Sequence, residues 1–318
     1  MSKTTKRLLF TIVLLLGLCL WGVFRFLLSH GHHFNIYIFP PSPQRYVAIA
    51  LDYMDNGIYA EGDAWKAKKV AIMKRAENLE NYADTHELLN EALVIAGGKH
   101  SVLLTVNAQD ALIAEQENPT VSLDADGILY VKLPAFAGTE GAREYADKVV
   151  DFVEENEEEI KGVIIDLQDN TGGNLGPMLA AVSPFLPEGQ LLSFRIKEKD
   201  QPVALSDGSV TGGGSNMLVD EVEIDKVPVA ILQNEWTASS GEAVLLAFRG
   251  LDYAKTFGSS TAGYCSCNTV HYLYDGAMMQ LTVGSNVART GEEFCEVPIL
   301  PEVETETPLE AAKKWILE

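Results

Sequence analysis

The sequence predicts an α/β (α+β) core behind a small N-terminal helical domain and an N-terminal transmembrane helix. Three observations predict it. Residues 128–133 read as a strand, 141–156 as a helix and 162–167 as a buried strand, which makes a βαβ unit. A second apolar run, 227–232, meets a polar corner and then an Ala/Leu-rich helical segment. At the other end of the chain, residues 8–24 are 17 residues without a charge.

That apolar stretch follows Lys3, Lys6 and Arg7 and precedes Arg25, whose aliphatic stem can lie in the membrane, so the span reaches Leu28. This is close to the ~20 residues a bilayer crossing needs. No Ala-x-Ala-like site follows, and Cys19 is preceded by a bulky Leu18, which favours an uncleaved anchor over a signal peptide or lipoprotein signal. Basic residues on the short side place it in the cytoplasm and the body outside, a single-pass cell-membrane protein. The expected division is 1–30 for tip and anchor, 31–45 for a linker, 46–105 for the helical domain and 106–318 for the core.

Charge narrows the partners. Four of the 24 basic residues and none of the 45 acidic ones lie in the first thirty, so the remainder carries 20 against 45, a net −25. Such a surface repels nucleic acid and favours cationic partners. Beyond Cys19 the cysteines are Cys265, Cys267 and Cys295; Cys295 can pair with either of the others, and spacing does not choose. Cys265-x-Cys267 is too short and isolated for a zinc site. His30, His32 and His33 lie in the linker region with no acidic or Cys partner nearby in sequence, so no metal and no cofactor is expected.

Within the helical part, Val47, Ala50, Leu51 and Met54 share one helical face, Trp65, Val70, Ile72 and Met73 do so more loosely, and a third helix starts near Thr85 and stops at Gly97-Gly98. Residues 202–215, rich in Gly and Ser, read as a mobile loop; 270–274 and 278–283 read as a hairpin across Asp275-Gly276; 308–317 read as a closing helix. The acidic run 154–159 reads as a solvated helix end.

The chemistry gathers at Thr237-Ala238-Ser239-Ser240-Gly241-Glu242, the corner between the second strand and its helix. Small hydroxylated residues there sit at a helix N-terminus, whose free N–H groups stabilise negative charge. By itself this is an ordinary Ser/Thr cap. Two further stretches change the weighing: Asp166-Leu167-Gln168-Asp169-Asn170-Thr171-Gly172-Gly173-Asn174 upstream, and Phe257-Gly258 with Thr261-Ala262-Gly263 downstream. Together, over roughly residues 127–303, they resemble the C-terminal-processing (tail-specific) serine peptidases. The usual Arg of the first motif is Gln168 here.

That resemblance implies a serine nucleophile, yet the turn where tail-specific members keep a catalytic Lys reads 257–264 without one. A serine at neutral pH needs a base, and histidine has the suitable pKa. Gly97-Gly98-Lys99-His100-Ser101 together with Thr-Ala-Ser-Ser resembles the nisin-resistance-protein subgroup of these peptidases. The resemblance implies Ser239 as nucleophile, His100 as base, and an oxyanion hole from Ser240 with Gly172 or Gly173. Asn174 and Thr237 are expected to meet substrate, while His86 and His271 are expected to be structural. Glu242 either supports the turn through hydrogen bonds or simply suits a first helical turn, and the latter is favoured. Only residues 102–126 separate the helices from the core, too few for a PDZ module, which leaves recognition to the groove.

The expected function is an extracytoplasmic serine peptidase that inactivates a cationic lantibiotic of the nisin type near its C-terminus, giving antibiotic resistance. The alternatives are a peptide-sequestering protein on a retired peptidase scaffold and a housekeeping envelope peptidase.

Overall fold

A computed structural model of the chain describes residues 2–222, 224 and 226–318; Met1, in the expected cytoplasmic tip, lies outside them. α1 (Lys3–His30) and a 3-10 turn (Gly31–Phe34) lead into α2 (Pro43–Met54), α3 (Gly62–Ala76) and α4 (Ala83–Gly97). β1 (Val102–Leu104), α5 (Val106–Ala114), β2 (Thr120–Leu123), β3 (Ile128–Lys132), α6 (Ala142–Asn156), β4 (Gly162–Asp166) and α7 (Leu175–Ala181) follow. Next come β5 (Gly189–Ile196), β6 (Lys199–Ser206), β7 (Ser209–Thr211), β8 (Met217–Leu218), β9 (Val229–Gln233) and α8 (Ser240–Phe248). The chain closes with β10 (Ala254–Gly258), β11 (Ser266–Tyr272), β12 (Met278–Ala288), β13 (Glu293–Phe294), β14 (Val303–Glu304) and α9 (Pro308–Leu317).

Two sheets organise the body. One has the order β14-β10-β9-β4-β3-β2 and is parallel except where β2 meets β3. The period of two decides its faces. Ile164, Ala230 and Leu232 pack under α9 with Ala312 and Ile316, while Val163, Ile165, Val229 and Ile231 face α6, α7 and α8. Buried on both faces, β4 and β9 read as continuous apolar runs, as parallel strands do. Each such Val, Leu or Ile contributes about 1.5–3 kcal/mol by leaving water. Residues 241–248 of α8 are all buried, because α8 lies between this sheet and the second one.

The second sheet is antiparallel, with β1-β12-β5-β6-β7-β8 as its path and β11 and β13 also paired to β12. Helices α2, α3 and α4 share a core with it: Leu51, Met54, Leu89 and Leu93 pack with Leu103, Met279 and Leu281. Part of this sheet corrects an expectation. Much of the stretch 202–215 is the antiparallel pair β6 and β7, with Val203, Leu205 and Val210 buried in the main core. The Gly and Ser content hid a short alternation of apolar residues. The segment 102–126 holds β1, α5 and β2, which belong to the two sheets.

Cys265, Cys267 and Cys295 are free thiols. Cys265 and Cys267, neighbours but one on β11 and its lead-in, are committed to different apolar clusters. Burial raises both thiols, Cys267 to about 12. α1 carries no buried residue and is the one described helix long and apolar enough to cross a membrane.

Candidate active site

The pairing of β4 with β9 decides where chemistry can sit. Asp166 is in register with Leu232, and Leu167 N–H donates to Leu232 O at 2.9 Å, so the loops leaving the carboxyl ends of these parallel strands are side by side. A crevice at that end of a parallel sheet is where open α/β folds bind ligands. The first loop carries Asn170, Gly172, Gly173 and Asn174; the second carries Thr237, Ser239 and Ser240.

Ser239 is held at φ 54°, ψ −117°, a conformation that a non-glycine residue rarely adopts, on a sharp turn between β9 and α8. Several bonds over-determine it. Its N–H donates to Glu242 Oε2 at 2.9 Å, Ala238 N–H to Asn170 O at 2.9 Å, and Ala262 N–H to Thr237 O at 2.9 Å. Its side chain remains half-buried at the crevice.

Glycine is required beside it. Gly172 has φ 99°, and a Cβ there would lie 2.6 Å from Ser239 Cβ and 2.9 Å from Ser240 N. At Gly173, φ 119°, a Cβ would lie 2.1 Å from Phe136 O. The two amides differ in employment. Gly172 N–H donates to Asn170 Oδ1 at 2.9 Å, whereas among the described residues the N–H groups of Gly173 and Ser240 have no protein acceptor. Ser240 Oγ donates to Gly173 O at 2.7 Å and fastens the two loops together.

Glu242 corrects the favoured expectation. It is fully buried, and its carboxylate takes four donors: Ser239 N–H and Tyr264 N–H (2.7 Å) on Oε2, Gly263 N–H (3.0 Å) and the Thr261 hydroxyl on Oε1. Burial pushes its pKa up against the pull of these donors. It thus ties the Ser239 turn to the 261–264 turn. A serine three residues before a glutamate is a capping-box spacing that the sequence displays.

His100 follows the α4 stop, in a loop carried across to the second sheet. Its N–H donates to Glu296 Oε1 at 2.8 Å and its carbonyl accepts from Gln280 Nε2 at 3.0 Å. Nδ1 is 2.7 Å from Ser266 Oγ, and Asn268 Nδ2 lies 3.2 and 3.3 Å from the two ring nitrogens. The ring stands edge-on to Tyr264, centroids 5.3 Å apart, and the Lys99 ammonium lies 4.5 Å above the same tyrosine. Burial, with a smaller push from Lys99, lowers His100 to about 4, so it is neutral at pH 7. In the tautomer that directs Nδ1–H at Ser266 Oγ, the Nε2 lone pair faces the Asn268 amide, whose Oδ1 accepts from the Thr282 hydroxyl at 2.7 Å. Among the described residues no hydrogen bond joins His100 to Ser239; the two are linked through Tyr264 and Glu242.

Of the expected substrate contacts, Asn174 is partly exposed at the crevice, donating to Gly138 O at 2.8 Å and accepting from Ser215 Oγ at 2.5 Å. Thr237 requires a correction. It is fully buried, and its hydroxyl donates to Leu167 O at 2.8 Å and accepts from Asn234 N–H at 3.0 Å, so it braces the two loops and does not face substrate. Asn170, Tyr264, Ser266 and Asn268 are not among the residues expected at the site, and Glu242 is expected there only as the less favoured of two roles. Asn170 and Glu242 sit inside recognisable motifs, but Ser266 and Asn268 reach His100 across more than 160 positions and leave no local trace. His86 and His271 are structural, His86 bonded to Asp275 Oδ2 at 2.8 Å and His271 stacked on Tyr53.

Residues 127–305, the span that contains both loops and the 261–264 turn, match the pattern of peptidase family S41. The chain belongs to that family. Like other S41 members it is a serine peptidase. It is 34% identical to the nisin-resistance protein of Lactococcus lactis subsp. lactis over 99% of this chain and 98% of that one. A carboxy-terminal-processing protease of Bartonella bacilliformis is 25% identical over 48% of this chain and 32% of its own length. Among solved structures, a lipoprotein from Streptococcus agalactiae superposes with a TM-score of 0.80 at 30% identity, over 89% of this chain and 99% of that one. The photosystem II D1 C-terminal processing protease superposes at 0.58 and 15% identity over 88% and 98%, which shows the shared S41 fold.

Proposed function

We propose that this S41 peptidase is anchored in the membrane by α1, works outside the cytoplasm, and inactivates a cationic lantibiotic of the nisin type by cutting it near its C-terminus. The observation that carries the catalytic part is the Ser239 turn, with a serine at φ 54° beside two unengaged amides. The likeness to a nisin-resistance protein over nearly the whole length supports the substrate class, and the −25 charge outside the anchor suits a cationic peptide.

In this reading Ser239 Oγ attacks the scissile carbonyl while His100 Nε2 takes its proton. The oxyanion is met by the N–H groups of Ser240 and Gly173, the amide of Gly172 being engaged by Asn170. His100 returns the proton to the leaving amine, and a water molecule, deprotonated in turn by His100, releases the acyl product. Asn174 lies where the peptide must pass, and residues 1–30, 31–45, 46–105 and 106–318 act as anchor, linker, base-bearing helices and peptidase core.

One observation favours peptide sequestering instead: Ser239 and His100 are not hydrogen-bonded to each other. Apo sites often tighten only with substrate bound. Incubating the protein with nisin and weighing the products separates the readings. A C-terminally shortened peptide, absent with Ser239→Ala and His100→Ala, is the expected result. Intact nisin that co-elutes with the protein supports sequestering, and intact unbound nisin removes the lantibiotic assignment.

A further inference from the structure

The histidines that follow α1 have no acidic or thiol neighbour in sequence, but folding supplies one. The 3-10 turn Gly31–Phe34 lays His32 and His33 against α2, where Asp52 faces both. Asp52 Oδ2 is 3.1 Å from His32 Nε2 and 3.3 Å from His33 Nε2. The two imidazole centroids are 4.0 Å apart, and the three donor atoms all lie within 4.8 Å of one another.

The cluster is held from behind. Tyr53 OH donates to His32 O at 2.5 Å, and the Tyr53 ring meets His32 and His33 nearly edge-on at 5.7 and 5.8 Å. His271 of β11 stacks on Tyr53 at 4.1 Å. His32 is buried, whereas His33 and Asp52 are exposed, which leaves a way in for an ion.

Two N or O ligands about 2.0 Å from one zinc ion, at the tetrahedral angle, stand about 3.3 Å apart. The two Nε2–Oδ2 separations are of that size. Asp52 Oδ2 can accept a hydrogen bond from each imidazole, and the same three converging atoms can close on one shared cation once both Nε2 atoms are unprotonated. Two imidazoles and one carboxylate suit a borderline divalent ion such as Zn2+, whereas Ca2+ and Mg2+ favour all-oxygen shells. We infer that His32, His33 and Asp52 form a site for a divalent transition metal, Zn2+ by preference, at the joint between the anchor helix and the body. Metal there ties the 3-10 turn to α2 and fixes the direction in which the body leaves α1. The inference does not depend on Ser239 being a nucleophile.

The test uses the full-length protein in detergent, stripped with a chelator and titrated with Zn2+ against a chromophoric competitor. A parallel Co2+ titration reads the ligand geometry by visible absorption. The expected result is one Zn2+ per chain and the intense Co2+ bands of a tetrahedral site. His33→Ala and Asp52→Asn, both at exposed positions, are each expected to weaken Zn2+ binding at least roughly tenfold. His86→Ala, which disrupts the separate His86–Asp275 pair, is expected to leave the affinity unchanged. Zn2+ binding that is not stoichiometric, or that neither His33→Ala nor Asp52→Asn weakens, overturns the site, as does an equal loss in His86→Ala.

Discussion

At the scale of single residues, two buried ionisable groups frame the site and do opposite things. His100 is kept neutral, its pKa brought from the ordinary 6.5 to about 4 by burial and Lys99. The unfolded chain therefore binds this proton first as pH falls. Stability is unaffected above 6.5, declines as pH drops from 6.5 to about 4, and levels off below; the full loss is about 3 kcal/mol. Denaturant unfolding at pH 7 and at pH 4 should show this decline in the wild type and a shallower one in His100→Gln. Equal declines would mean that His100 is not held neutral. Glu242 instead collects four donors. Glu242→Ala strands three backbone N–H groups in a buried turn, at about 1–3 kcal/mol for each donor left unpaired. We expect a lowered melting temperature together with lost activity; a variant as stable as wild type would deny Glu242 its bracing role.

At the scale of elements, the proposed active site is the meeting of two loops from neighbouring parallel strands, and glycine makes the meeting possible. Gly172→Ala puts a methyl group 2.6 Å from Ser239 Cβ at φ 99°. It should displace Ser239 from the amides and reduce turnover by roughly 10²-fold or more, the scale of losing an oxyanion donor. Near wild-type turnover would place the catalytic serine elsewhere. Much of this level was legible in advance: β3, α6 and β4 from their alternation, α8 from its apolar run, and both loops from motif order. What was not legible has identifiable causes. β6 is exposed over its first four residues and β7 is three residues between Gly208 and Gly212, so only three buried residues, Val203, Leu205 and Val210, mark the pair. Thr237 lies in the motif of the proposed nucleophile, yet its hydroxyl is consumed by Leu167 O, a contact between the two loops that local sequence does not encode. The environment of His100 was likewise hidden, since Ser266 and Asn268 arrive from β11.

At the scale of the molecule, the proposed base His100 and the proposed nucleophile Ser239 come from opposite parts of the chain, and the loop that carries His100 is placed by packing α2 to α4 against the second sheet. In the proposed reading the site needs the helical part as much as the S41 core, whereas α1 buries none of its residues. If α1 only anchors, as proposed, a form lacking residues 1–30 should remain soluble without detergent, unfold at nearly the full-length temperature and keep its peptidase activity; loss of activity would give α1 a further role. The central claim is that Ser239 is activated by His100, and active-site labelling tests it most directly. A fluorophosphonate, which esterifies activated serines, is reacted with wild type, Ser239→Ala and His100→Ala, and the modified residue is located by peptide mass spectrometry. Modification of Ser239 is expected in wild type, none in Ser239→Ala, and severely slowed labelling in His100→Ala. Labelling of another serine, or undiminished labelling of Ser239 without His100, would contradict that claim.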